Sequence, residues 1–108
     1  MSYNVGDIVL VKFPFTNLKK AKKRPVLVIK SSTQLNDIIC LQITSKDDQK
    51  SLMHIKQNDL RESIFSVESY VKYDKCFTLN EEVIDKKIGC VTELFLKNLV
   101  ERFCKEIF

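Results

Sequence analysis

The feature that most constrains this chain is a change of period near its C-terminus. Up to Val91 the apolar residues come in short, β-branched runs; after Thr92 they recur at helical spacing. Ile8–Phe13 is the first run, and Pro14 closes it, since proline cannot continue a ladder. Residues 14–24 read as a loop, Pro25–Lys30 as a second strand and Ser31–Asn36 as a polar turn. Asp37–Thr44 is a third strand, followed by a polar loop over Ser45–Lys50. Leu52–Lys56, Ser69–Tyr73 and Lys87–Val91 read as three more. At the end, Leu96, Leu99, Val100, Phe103 and Ile107 share one helical stripe, with Cys104 beside it. Thr92 is the expected N-cap, and Glu93/Lys97 and Glu101/Lys105 are favourable i,i+4 pairs.

These elements predict a mainly β protein. Five to six short strands form a small, strongly bent sheet or partly open barrel, with a C-terminal amphipathic α-helix packed on it. The whole of 1–108 is expected to be a single domain, because 108 residues leave no room for a second core. The N-terminus has no positively charged n-region and no small-residue cleavage site, and no apolar run could cross a bilayer. The expected location is cytoplasmic. Cys40, Cys90 and Cys104 are then expected to be buried, reduced thiols, with Cys76 left open.

Strand parity divides the third strand. Ile39, Leu41 and Ile43 share one face and are expected in the core; Cys40, Gln42 and Thr44 share the other, more polar face. In the second strand, Arg24 shares a face with Val26, Val28 and Lys30.

Charge narrows the function. Lys12, Lys19, Lys20, Lys22, Lys23, Arg24 and Lys30 lie between Ile8 and Asn36 with no acidic residue among them; the net charge is +4, so the rest of the chain carries −3. A local basic patch of this kind suits a polyanion such as nucleic acid, or an acidic protein segment. Meanwhile most catalytic devices are missing. One histidine, His54, excludes a two-histidine nuclease within one chain, and there is no G-x-S-x-G elbow, Gly-rich phosphate loop or H-E-x-x-H helix. Asp47/Asp48 and Glu81/Glu82 are adjacent residues, which diverge on an extended chain and make poor metal sites. His54 is read as structural or as surface. Phe13, Phe15, Tyr70, Tyr73 and Phe77 are read mainly as core or loop anchors, with stacking on a base as the alternative role.

Four motifs occur in order: Gly6-Asp7-Ile8-Val9-Leu10-Val11, Phe13-Pro14-Phe15-Thr16-Asn17, Lys23-Arg24-Pro25-Val26-Leu27-Val28-Ile29 and Ile43-Thr44-Ser45. With Ser69–Leu79 and Lys87–Val91 downstream, the chain resembles the MazF/PemK-like toxins of type II toxin–antitoxin pairs along its whole length. Each motif is weak alone; their order makes the resemblance specific.

The resemblance implies an SH3-like small β-barrel, a homodimer, and a metal-independent endoribonuclease. Such an enzyme needs no cofactor, cleaves mRNA-like single-stranded RNA at short sequences, and is inhibited by a cognate antitoxin with an acidic segment. It implies Arg24 and Thr44 as catalytic residues, with Ser45 as the adjacent hydroxyl. The lysine loop supplies the RNA-binding residues Asn17, Lys19, Lys20, Lys22 and Lys23, and Pro14–Lys23 is expected to gate the site. The middle region, Lys46–Val67, matches no family pattern. Two alternatives keep the fold or the charge without the chemistry. One is a toxin that traps a DNA topoisomerase; the other is a non-catalytic nucleic-acid-binding module.

Overall fold

The computed structural model describes residues 3–13, 22–32, 34–47, 50–63 and 68–107. The strands are β1 (Asp7–Phe13), β2 (Lys22–Ser32), β3 (Asp37–Thr44), β4 (Leu52–Ile55), β5 (Leu60–Ser63), β6 (Ser69–Asn80) and β7 (Ile84–Val91), followed by the helix α1 (Glu93–Ile107). All pair antiparallel in one sheet, ordered β4-β6-β3-β2-β1-β7-β5. The architecture is that of a curled, mainly β half-barrel with one C-terminal helix, as the sequence predicts.

The sheet is unusual in burying apolar residues on both faces. Along β1, Ile8 belongs to one core and Val9 to another, and Val11 again to the second. The first core is the helix side. There Ile8, Leu27, Leu41, Ile43 and Val71 pack with Phe95 and Leu99 of α1, both almost fully buried. The second core lies on the far face, where Val9, Val11, Val26, Val28, Ile38 and Cys40 are completely buried. Phe77, Leu79, Val83 and Ile84 pack against that second core. These residues come from the last part of β6, the turn after it and the start of β7.

This arrangement depends on β6. Its pairing with β3 breaks between Leu41↔Cys76 and Gln42↔Lys72, so β6 carries three extra residues there. The bulge bends the strand, as such insertions do. Its first part pairs with β4 and the Thr44 end of β3, and its last part with the Asp37 end.

Several expectations are met or corrected. Cys40 is buried, as expected of it, although it shares a strand face with Gln42 and Thr44, because the last half of β6 covers that end of the sheet. Ile39 is only half-buried. In α1 the buried residues are Leu99, as expected, and Phe95, which lies off the expected stripe, whereas Val100 and Cys104 are exposed. β5 is an additional edge strand, paired to β7 through Leu60↔Val91. A 3-10 turn over Gln57–Asp59 precedes it, and the Asp59 carbonyl accepts the Thr92 N–H at 2.8 Å. Thr92 caps α1 as expected, its Oγ1 accepting the Phe95 N–H at 3.2 Å. Among the described residues, no helix is long and apolar enough to cross a membrane.

The Gly-Asp opening has a structural reason. Gly6 takes φ +96°, a conformation that favours glycine, and its carbonyl accepts the Val91 N–H at 2.9 Å. Asp7 is buried, accepts the Asn4 N–H at 2.9 Å and pairs with Lys87 at 3.3 Å. The turn thereby ties the start of β1 to β7.

Candidate active site

Arg24 lies inside β2, opposite Val11 of β1. The strand begins at Lys22, so Arg24 stands within the sheet and not in the loop before it. Pro25 follows, opposite Leu10, and brings no N–H to a ladder. The β2–β3 pairing stops at the next residue, with Val26↔Gln42 as its last rung. Past that rung, β2 is paired to β1 alone. The sheet therefore has an open mouth between β2 and β3.

Counting on from Val26↔Gln42, Arg24 stands opposite Thr44 across that mouth, on the same face. Thr44 is half-buried, the last residue of β3, and its Oγ1 accepts the Lys46 N–H at 3.2 Å. That bond uses an oxygen lone pair and leaves the hydroxyl proton for a second partner. Arg24 is exposed, and its guanidinium offers a planar fork of donors. Two donors, one charged and one neutral, thus share one face of a rigid sheet at adjacent strand ends. Ser45 is exposed just beyond the strand.

The same row continues across the sheet. Thr44 pairs with Tyr70 of β6, and Tyr70 with His54 of β4. One step along, Gln42 pairs with Lys72, and Lys72 with Leu52. Lys72 is held by Asp74 at 3.2 Å and by the Lys50 carbonyl at 3.2 Å. Partial burial, with Glu68 and Asp47 nearby, raises the pKa of the Tyr70 phenol.

The expected residues are brought together only in part. Arg24 and Thr44 share a face; Lys23 falls on the other side of β2 and pairs with Asp85 at 3.1 Å. Lys22 enters β2 opposite Phe13. Asn17, Lys19 and Lys20, with most of the expected gate Pro14–Lys23, lie outside the described residues. Strand parity places Gln42 on the face of Thr44, but nothing local sets His54 and Lys72 beside it. Alternation in Ser69–Tyr73 could assign faces, but the register that sets Tyr70 beside Thr44 is non-local.

A separate groove of about 310 Å³ lies at the opposite end of β1, lined by Asn4, Asp7, Arg61 and Lys87 among others. Its Asp7 carboxylate is already engaged by Asn4 and Lys87, so that groove is explained by the turn it closes.

The chain matches a known family over nearly its full length. The family described as PemK-like, MazF-like toxin of type II toxin-antitoxin system matches residues 4–107. No curated protein matches by sequence. Among solved structures, MazF from Deinococcus radiodurans superposes with a TM-score of 0.75 at 14% identity, covering 99% of this chain and 97% of that one. Mycobacterium tuberculosis toxin MazF-mt6 gives 0.70 at 16% identity, covering 94% and 95%. An endoribonuclease in complex with its cognate antitoxin, from a mycobacterial species, gives 0.70 at 14% identity, covering 97% and 91%. At these identities the structural likeness establishes the fold.

Proposed function

The chain belongs to the PemK-like, MazF-like toxins of type II toxin–antitoxin systems, and from that premise we propose that it is an endoribonuclease that cleaves single-stranded RNA at the β2–β3 mouth. The observation that carries the reading is that the β2–β3 ladder ends at Val26↔Gln42, two residues short of Arg24 and of Thr44, so that continuing the register sets the two opposite each other on one face. The structural neighbour described as an endoribonuclease with its cognate antitoxin supports it.

RNA supplies its own nucleophile. The 2′-oxygen attacks the adjacent phosphorus, the 2′-O–P bond forms and the P–5′-O bond breaks, leaving a 2′,3′-cyclic phosphate and a 5′-hydroxyl. Overall one proton passes from the 2′-oxygen to the 5′-oxygen. The barrier lies in the crowded, more negative phosphorane. A guanidinium fork stabilises that charge on two oxygens, and a fixed hydroxyl donates to a third. Both donors sit on strands whose positions are set by the two cores, so they need little reorganisation as charge develops. Arginine stays protonated, which assigns Arg24 to charge stabilisation and not to the role of base.

Lys19, Lys20 and Lys22 are proposed as sequence-independent grip on backbone phosphates. Lys23, tied to Asp85, contributes less. The protein acts as a homodimer and is neutralised by an antitoxin whose acidic segment competes with RNA for the same basic surface.

The test is incubation of purified protein with a long mixed-sequence RNA in excess chelator. The expected result is discrete fragments carrying 5′-hydroxyl and cyclic-phosphate ends. Intact RNA across several substrates would overturn the reading.

A further inference from the structure

Both cores claim their aromatic rings. Tyr73, Phe95 and Phe103 belong to the helix-side core or pack against it, and Tyr3 and Phe77 pack on the far-face core. Among the tyrosine and phenylalanine side chains described, Tyr70 alone joins neither. It is half-buried, and its ring stacks on that of His54, with centroids 4.9 Å apart and planes inclined by 27°. His54 is likewise half-buried. The pair is a cross-strand rung, His54↔Tyr70, and Tyr70 is also the rung partner of Thr44.

This position has consequences. Adjacent strands lie about 4.8 Å apart, so the Tyr70 backbone is one strand spacing from Thr44 and the His54 backbone two. A phosphate held between Arg24 and Thr44 brings its neighbouring nucleotide over this rung. The ring surface there is flat and amphipathic, and Lys72, two residues along β6 on the same face, is held by Asp74 and the Lys50 carbonyl. A π-surface beside a cationic phosphate site is the arrangement by which proteins hold unpaired bases, since every base has a face to stack.

We infer that the stacked His54–Tyr70 pair is a base-binding platform, which seats a nucleobase of single-stranded RNA beside the phosphate held at Arg24 and Thr44. The inference rests on the ribonuclease reading for the identity of the ligand. It adds a positioning role for two residues that the catalytic row alone leaves without one. Stacking fixes the nucleotide next to the scissile bond, and so fixes the angle at which its 2′-oxygen approaches phosphorus.

The test uses a ligand that cannot be cleaved, so that binding is read independently of turnover. Fluorescein-labelled 2′-O-methyl RNA twelve-mers of mixed sequence are titrated by anisotropy at one fixed salt concentration. A parallel set replaces bases one at a time by abasic sugars. Tyr70→Leu is expected to weaken binding about tenfold, and Tyr70→Phe to restore it. At one abasic position the Tyr70→Leu and wild-type proteins should bind alike, because the stacked partner is already gone. His54→Leu should weaken binding less and show its effect at that same position.

Equal affinity of wild-type and Tyr70→Leu for intact RNA would overturn the platform. So would a loss that persists undiminished at every abasic position, since that marks a purely structural role. Circular dichroism and thermal melting of each variant separate misfolding from lost contact, and Tyr70→Phe supplies the folded control if Tyr70→Leu melts early. If the long-RNA incubation shows no cleavage while the abasic dependence holds, the platform stands and the ribonuclease reading falls. If RNA is cleaved and the abasic dependence is absent, the ribonuclease reading stands and the platform falls.

Discussion

At the Asp37 end of β3 the far face of the sheet is closed: Ile38 and Cys40 are fully buried beneath Phe77, Leu79 and Val83. At the Thr44 end the same face carries Gln42, Thr44, Tyr70, His54 and Lys72, joined rung by rung across β3, β6 and β4, with Arg24 on β2 two residues past the last β2–β3 rung. One strand thus serves two purposes within eight residues. The difference comes from β6, whose bulge lets its last part cover one end while its first part lies flat beside the other. The covered end supplies the rigidity that the open end needs in order to hold donors at fixed positions.

The two ends should respond differently to substitution. Ile38→Ala, at the closed end, removes buried methylenes and should lower unfolding free energy by about 2–5 kcal/mol, read by urea titration. Cleavage per folded molecule should stay near wild type; a selective loss of turnover would blur the division between ends. Thr44→Val, at the open end, keeps the β-branched shape but removes the hydroxyl. A rate loss of about a hundredfold is expected, with stability changed by no more than about 1 kcal/mol. Single-turnover kinetics on a short RNA would check it.

Burial gives the closed end a pH signature. It pushes the Cys40 thiol from its ordinary value of 9.0 up to about 12, with Cys76 adding to the shift. The folded state keeps a proton that the unfolded state releases, so the contribution is fully present below pH 9 and falls between 9 and 12. The slope should approach about 1.4 kcal/mol per pH unit above that lower value. Urea titrations of wild-type and Cys40→Ala between about pH 7 and 10.5 should show that extra slope in the wild type only. The smallest effect is expected from Lys23→Ala. Its ion pair with Asp85 is exposed, and losing it should cost about 0–1 kcal/mol, with little change in cleavage rate. A large rate loss would return Lys23 to the RNA-binding surface.

Much of this frame is legible in the residues alone. β3 runs over Asp37–Thr44 as its alternation indicates, and Thr92 caps α1 as its position before the periodic run suggests. The family follows from motifs that keep their order. What stays hidden depends on contacts distant in sequence. Leu60–Ser63 is half charged and shows no apolar alternation, yet it pairs with β7 because the Asp59–Thr92 bond brings it there. The second half of β6 begins at Asp74-Lys75-Cys76, whose irregular polarity conceals a bulge. Cys40 shares a strand face with the polar Gln42 and Thr44 and is nonetheless core; no local pattern says that a strand face can be covered at one end and open at the other. The row from Arg24 to His54 spans four strands, and only the register assembles it.

The most direct test of the division is Arg24→Ala, followed by two readouts on the same preparation: the rate of RNA cleavage in excess chelator and the free energy of unfolding in urea. The rate is expected to fall by at least about 10²–10³ while stability moves by less than about 0.5 kcal/mol. Retained cleavage, or a loss of rate matched by a comparable loss of stability, would contradict the division.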